Sequence, residues 1–146
     1  MDLSVKEFFR RGRFGIVGVS RSGRKFGNTI FSELKTRGYD LFIVHPQLKE
    51  IGGEKCYDHI GSLAGKIDGV IVCVDPRKSA DVVREAIQAG IKNIWLQQGA
   101  ESTEALALAR EEGVNLVARK CILMHAQPVR SFHSFHRAIA GLFGQL

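Results

Sequence analysis

The stretch Phe14-Gly15-Ile16-Val17-Gly18-Val19-Ser20-Arg21-Ser22-Gly23 decides the fold. Phe14 to Val19 is apolar and too short for a helix, so it reads as a buried strand. A Gly/Ser/Arg loop follows. The segment from Gly27 to Arg37 then sets Ile30, Phe31 and Leu34 on one helical face, with Gly38 at the stop position. Between a strand and a helix, Gly18-x-Ser20-x-x-Gly23 reads as the G-x-G-x-x-G phosphate-binding fingerprint with serine at its second glycine. The tight turn needs Gly18, and the backbone N–H groups at a helix start attract an anion. Ser20 and Ser22 add hydroxyl donors, and Arg21 and Arg24 add charge-assisted ones.

Outward from this unit the same alternation repeats. Leu41–Val44 is a second buried strand, ended by His45-Pro46. Residues 47–65 are irregular, with room for an edge strand near Lys55-Cys56-Tyr57. Gly69–Val74 is a central strand ended by Asp75-Pro76. Ser79 is the expected cap of a helix that buries Val82, Val83, Ala86 and Ile87 and stops at Gly90. Asn93–Leu96 is a strand ended by Gln97-Gln98-Gly99. Ser102 caps a helix that stops at Gly113, and Asn115–Ala118 is the last strand. At the start, Ser4-Val5-Lys6-Glu7 reads as a capping box opening a short helix with Phe8 and Phe9.

Continuous apolar strands alternating with amphipathic helices predict one α/β domain over residues 1–146. The expected form is a Rossmann-like, doubly wound, mostly parallel sheet with helices on both faces. Ligands of such sheets sit beyond the carboxyl ends of the strands, where strand order switches. Beyond the last strand, Phe132, Phe135, Ile139 and Leu142 fall at helical spacing and predict a C-terminal helix at about 131–144. Its apolar stripe is expected to dock on the domain or to form a homodimer. His133 and His136 on it read as a surface pair, and His125 as a loop histidine. No metal site is expected.

Composition narrows the class. Apolar residues make up 45% of the chain and charged residues 25%, an ordinary globular balance. No apolar run approaches the roughly 18 residues that span a bilayer, so no membrane partner is expected. The start has no apolar core after a basic cluster, so it does not read as a signal peptide. Cys56, Cys73 and Cys121 lack metal-ligand spacing, and reduced thiols in a cytoplasmic protein are the expectation. The formal charge of +6 favours an anionic partner. The dense basic patches are Arg10-Arg11-Gly12-Arg13 and Arg21-Ser22-Gly23-Arg24-Lys25. Both flank the first strand and are expected to concentrate charge at one place, which suits a small polyanion and not a nucleic acid.

The cofactor question turns on the end of the second strand. NAD-binding folds place a carboxylate there for the ribose. Here it carries His45-Pro46, with no acid until Glu50. NADP stays open, because Gly-x-Ser-Arg also suits NADP loops. Tyr39 and Tyr57 have no lysine four residues on, so the usual hydride-transfer pair is missing.

Several segments together carry a resemblance: Gly18-Val19-Ser20, Gly38-Tyr39, Val44-His45-Pro46, Asp75-Pro76-Arg77, the run from Ala89 to Gly99 with Trp95-Leu96-Gln97, and Cys121. Over about residues 12–125 the chain resembles the stand-alone CoA-binding domain family, itself similar to the N-terminal domain of the succinyl-CoA synthetase alpha subunit. The resemblance implies that coenzyme A or an acyl-CoA is the ligand. The implied site comprises the loop of Gly18, Ser20, Arg21, Ser22, Gly23 and Arg24, the turn at His45 and Pro46, and the turn Val74-Asp75-Pro76. Gln97 and Cys121 lie at ligand-facing strand ends. Lys49 approximates a synthetase lysine on the ligand's phosphates, one residue further from its proline. The synthetase's phosphorylated histidine belongs to a second domain with no counterpart in these 146 residues, so binding without catalysis is expected. The family's Cys-Pro is Cys121-Ile122 here. The rival readings are an NADP-dependent oxidoreductase and a nucleotide-sensing regulatory module.

Overall fold

The computed structural model describes residues 2–129. The expected helix at 131–144, its apolar stripe and the His133/His136 pair lie outside them. The chain runs α1 (Leu3–Phe9), β1 (Arg13–Val17), α2 (Phe26–Thr36), β2 (Asp40–Val44), β3 (Glu50–Ile51), β4 (Glu54–Tyr57), β5 (Gly69–Val72), α3 (Pro76–Gln88), β6 (Asn93–Gln97), α4 (Thr103–Glu111) and β7 (Asn115–Lys120). Short 3₁₀ turns lie at Ile60–Leu63 and Ile122–Met124. The strands form one sheet in the order β3-β4-β2-β1-β5-β6-β7. Every pairing is parallel except that of β3 with β4. Strand order reverses at β1, which lies between β2 and β5 as in the Rossmann fold.

The strand alternation sorts side chains onto two covered faces. Phe14, Ile16, Ile43, Ile71, Trp95 and Val117 pack with Val5 and Phe8 of α1 and with Ile30, Phe31 and Leu34 of α2. Val44, Val70, Val72, Ile94 and Leu96 pack on the other face with Ala80, Val83 and Ala86 of α3 and Ala105, Leu106 and Ala109 of α4. Trp95 is fully buried, and its indole N–H donates to the Lys120 carbonyl at 3.1 Å. The segment after β7 stands in for a further helix on the first face. Arg37 donates from Nη1 to the carbonyls of Leu123 and Ala126, both at 2.9 Å, the Tyr39 hydroxyl donates to the Gln127 carbonyl, and Ile122 and Ala126 are buried in the core.

Four expectations change. The cap of α1 is Asp2, whose carboxylate accepts the Ser4 N–H at 2.8 Å and the Ser4 hydroxyl at 2.6 Å, so the box does not start at Ser4. The cap of α3 is Asp75, not Ser79. A carboxylate is a strong N-cap, and Pro76 is preset for the first helical position. Ser79 is instead buried and donates to the Ala100 carbonyl at 2.5 Å. The edge strand expected near Lys55–Tyr57 is β4, and it carries a partner, β3, joined through Gly52-Gly53 in the left-handed conformation of a two-residue hairpin turn. Cys73 falls one residue beyond β5, half-buried.

The start of α2 is pressed onto the end of β1. Gly27 is buried in the first turn of α2, and a Cβ on it would lie 2.8 Å from the Gly18 carbonyl carbon. Gly18 itself has φ 124°, and a Cβ there would lie 2.7 Å from the Cys73 carbonyl carbon and 2.8 Å from its Cβ. We expect Gly27→Ala to lower stability by about 1–3 kcal/mol through overpacking against rigid backbone, read as a shift in the denaturant midpoint. An unchanged midpoint would show that α2 can retreat freely.

Asp75 sets an acid limit on α3. Hydrogen bonds from the Arg77 side chain and backbone N–H hold its carboxyl at about 2, below the ordinary 3.8. A value depressed by folding stabilises above the unfolded value, and that contribution is lost as pH falls through the folded one. Amide exchange at Arg77 and Lys78 should therefore quicken, beyond its intrinsic pH dependence, between about pH 4 and pH 2. Asp75→Asn should show no such step, and an identical step in that variant would remove Asp75 as its cause.

Candidate functional site

The loops singled out from the sequence follow parallel strands and so lie at one end of the sheet, beyond the strands' carboxyl ends. The loop from Gly18 to Lys25 leaves β1 at the switch point and enters α2. It is internally braced. The Asn28 carboxamide oxygen accepts the Ser20 N–H at 3.0 Å and the Ser20 hydroxyl at 3.1 Å, while its NH₂ donates to the Ser20 carbonyl at 2.9 Å. The two hydroxyls of Ser20 and Ser22 lie 3.1 Å apart, and Ser22 Oγ accepts the Arg24 N–H at 3.2 Å. Gly23 closes the turn by donating to the Ser20 carbonyl at 3.2 Å.

What the brace leaves open is the helix start. Lys25 occupies the N-cap position with no side-chain cap, and no acidic residue lies in the first turn. The Asn28 N–H returns to the Lys25 carbonyl at 2.9 Å, and the N–H groups of Phe26 and Gly27 have no partner among the described residues, at a helix end where the dipole favours negative charge. Arg21, Arg24 and Lys25 lie in the loop that leads into it, exposed, and their side chains make no ion pair among the described residues.

Two glycine and amide roles escaped sequence reading. Gly27, not Gly23, is the glycine of close helix–strand packing; Gly23 has open space around it and serves the turn. The available signal was the position of Gly27 on the buried helical face with Ile30, Phe31 and Leu34. Asn28 carried no legible signal, because its partner Ser20 is set by the loop's path.

The neighbouring strand ends contribute groups that already have structural work. His45 is half-buried, and its Nδ1 accepts the N–H groups of Gln47 and Leu48, both at 3.1 Å, which puts the ring proton on Nε2. Pro46 and Lys49 are exposed in the same turn, and the Lys49 carbonyl accepts the Cys56 N–H. After β5, Val74 is half-buried, and the Asp75 carboxylate is engaged as the cap and by the Arg77 guanidinium. At the end of β6, Gln97 is buried and its Oε1 accepts the Ile122 N–H at 2.9 Å. Past β7, Cys121 is half-buried and free. Burial, and secondarily the nearby Cys121, push the Cys73 thiol up to about 12.

Beside the loop lies a groove of about 750 Å³ between α2 and the β3–β4 hairpin. Its lining includes Val19, Phe31, Ile43 and Ile51, with Gly23 and Asn28 linking it to the loop. An ion pair between Lys35 and Glu54 ties its two walls.

One expectation fails here. The two basic patches are not at one place. Arg10-Arg11-Gly12-Arg13 precedes β1 and Arg21–Lys25 follows it, so the strand's length, about 17 Å, separates them at opposite ends of the sheet. At the first patch, Arg13 is bonded twice to Asp68 at 2.8 Å and Arg10 is paired with Glu7. Among the described residues, the patch without ion pairs is the one at the switch point.

The chain is similar in sequence and in fold to known proteins. The chain is 26% identical over 119 residues to the uncharacterized protein YneT of Bacillus subtilis, covering 81% of this chain and 88% of that one. It is 27% identical over 119 residues to the ADP-forming acetate–CoA ligase I of Archaeoglobus fulgidus, covering 75% of this chain but only 17% of the ligase. A solved structure of a hypothetical protein from Pyrococcus horikoshii matches with a TM-score of 0.78 at 30% identity, over 86% of this chain and 89% of that one. The model of the CoA binding domain matches residues 12–127, and the chain belongs to that family.

Proposed function

We propose that this protein binds coenzyme A or an acyl-CoA with the pyrophosphate at the start of α2, and that it performs no acyl transfer of its own. Family membership supports CoA as the ligand. The observation that carries the placement is the uncapped start of α2 at the switch point of the sheet, entered through a loop whose three exposed cations make no ion pair among the described residues. Coenzyme A brings a pyrophosphate and a further phosphate, the charge such a ring accepts. The nucleoside then lies toward β2, where His45 offers an Nε2 donor and the strand end itself carries no carboxylate to hold a ribose as NAD requires. The pantetheine arm runs the other way, over the ends of β5, β6 and β7.

The absence of catalysis rests on the chemistry available at this rim. Asp75 is committed to a cap and an ion pair, and the Cys73 thiol stays protonated at neutral pH. The matched region is a small part of the acetate–CoA ligase, whose activity belongs to that whole protein.

Arg21→Ala combined with Arg24→Ala is expected to weaken CoA binding about tenfold to a hundredfold, the loss of charged hydrogen bonds worth about 1.5–3 kcal/mol. Raised salt should weaken the wild type. Titration calorimetry with CoA and NAD decides both placement and preference. Equal CoA affinity in the two proteins, or tighter NAD binding, would overturn the loop assignment. Incubation with CoA, ATP and either acetate or succinate should yield no acyl-CoA by chromatography. Turnover that follows the protein through purification would overturn the non-catalytic reading.

A further inference from the structure

A second cleft lies at the amino end of the sheet, opposite the switch-point loop. Its volume is about 560 Å³, and it is bounded by the ends of α1 and α3 and by the segments that enter β1, β5 and β6. Those three strands are neighbours in the sheet. The topology therefore brings together Arg11 before β1, Asp68 before β5 and Lys92 before β6. Phe8, Ile67 and Ile91, all buried, supply its apolar surface. Gly65 and Gly90 also line it, and a Cβ on either would meet only open space. The wall made by Glu7, Phe8, Arg10 and Arg11 precedes residues 12–127, the part matched by the CoA-binding family.

The charges in this cleft do not balance. Arg10, Arg11, Arg13 and Lys92 line it against Glu7 and Asp68. Two of the cations are engaged. Arg10 pairs with Glu7 at 3.2 Å, and Arg13 makes two bonds of 2.8 Å to Asp68, which hold that carboxyl below the usual carboxylate range. Arg11 comes no closer than 4.0 Å to Asp68, and its side chain donates no hydrogen bond among the described residues. The exposed Lys92 ammonium has neither ion pair nor hydrogen bond among them. The carboxyl ends of α1 and α3 together offset about one charge, which leaves the cleft with about one positive charge in excess. The backbones of β1 and β6 lie about 10 Å apart, so long side chains from either side can close on one group between them.

We propose that this cleft is a second binding site, for a small organic anion that sets a carboxylate or phosphate between Arg11 and Lys92 and an apolar body against Phe8, Ile67 and Ile91. The proposal does not depend on the CoA reading. The volume suits a small molecule. The guanidinium offers two parallel donors to a planar or tetrahedral anion, and the ammonium a point charge. Binding breaks no bond that the fold uses. The length of β1, about 17 Å, separates this cleft from the switch-point loop, so both sites can be filled at once.

Calorimetry with phenyl phosphate and with benzoate tests the site. It is run on the wild type with and without excess CoA, on Arg11→Gln combined with Lys92→Gln, and on Arg21→Ala combined with Arg24→Ala. At least one of the two anions is expected to bind the wild type equally with and without CoA. Its affinity should fall about tenfold in the Arg11/Lys92 variant and stay within about twofold in the Arg21/Arg24 variant. Which anion binds tells phosphate from carboxylate. The Arg11/Lys92 variant should keep the wild-type melting temperature, since neither side chain donates a hydrogen bond within the fold. Binding of neither anion to the wild type overturns the proposal. So does equal affinity in the Arg11/Lys92 variant. Displacement by CoA, or loss in the Arg21/Arg24 variant, also overturns it and puts the anion at the switch-point loop.

Discussion

The rest of the molecule depends on one close approach. Gly27 lets the first turn of α2 come down onto the Gly18 carbonyl, and Gly18 in turn lies against the Cys73 backbone at the end of β5. Three segments from β1, α2 and β5 thus meet where the order of the sheet reverses. No side chain fits at either glycine without displacing backbone. The result is a helix start exposed at the crevice and aligned with it, a fixed partial positive charge that costs no rearrangement when an anion arrives.

That arrangement explains how the cations are divided. At the amino end of the sheet, Arg10 and Arg13 are matched with Glu7 and Asp68, near the carboxyl ends of α1 and α3, where the helix dipoles favour positive charge. Those arginines complement the fold's own field. At the carboxyl end, Arg21, Arg24 and Lys25 add charge beside a helix terminus that is already positive, and among the described residues no carboxylate pairs with them.

The strands and the helix faces were legible because burial on both sides of a parallel sheet demands short apolar runs, as in Ile16–Val17, Val70–Val72 and Ile94–Leu96. The turn after β1 was legible because the positive φ at Gly18 and Gly23 is what a tight strand-to-helix turn requires. The rest was set by tertiary distance. Ser4 and Ser79 are good caps in isolation, but Asp2 and Asp75, two and four residues earlier, win with stronger acceptors. Asn28 becomes meaningful only once the loop folds back eight residues onto it. The separation of the basic patches required knowing that a strand of five residues carries them to opposite ends.

The groups at the carboxyl ends of the strands are held by structural bonds. His45 closes its turn through Nδ1 and keeps the ring proton on Nε2. Gln97 anchors Ile122 through its oxygen, and its nitrogen has no hydrogen-bond partner among the described residues. The Asn28 carboxamide uses both ends to hold Ser20, leaving the loop to the helix start. In each case the structural bond fixes the orientation of the side chain before any ligand is present. A group so held loses little rotamer entropy on binding, because folding has already ordered it. The same economy limits substitution at these positions. Removing His45 or Gln97 takes away a turn or an anchor together with a donor, so a change in binding alone does not separate a lost support from a lost donor. Only a replacement that preserves the structural bond, as a carboxylate oxygen at position 97 preserves the bond to Ile122, isolates the donor.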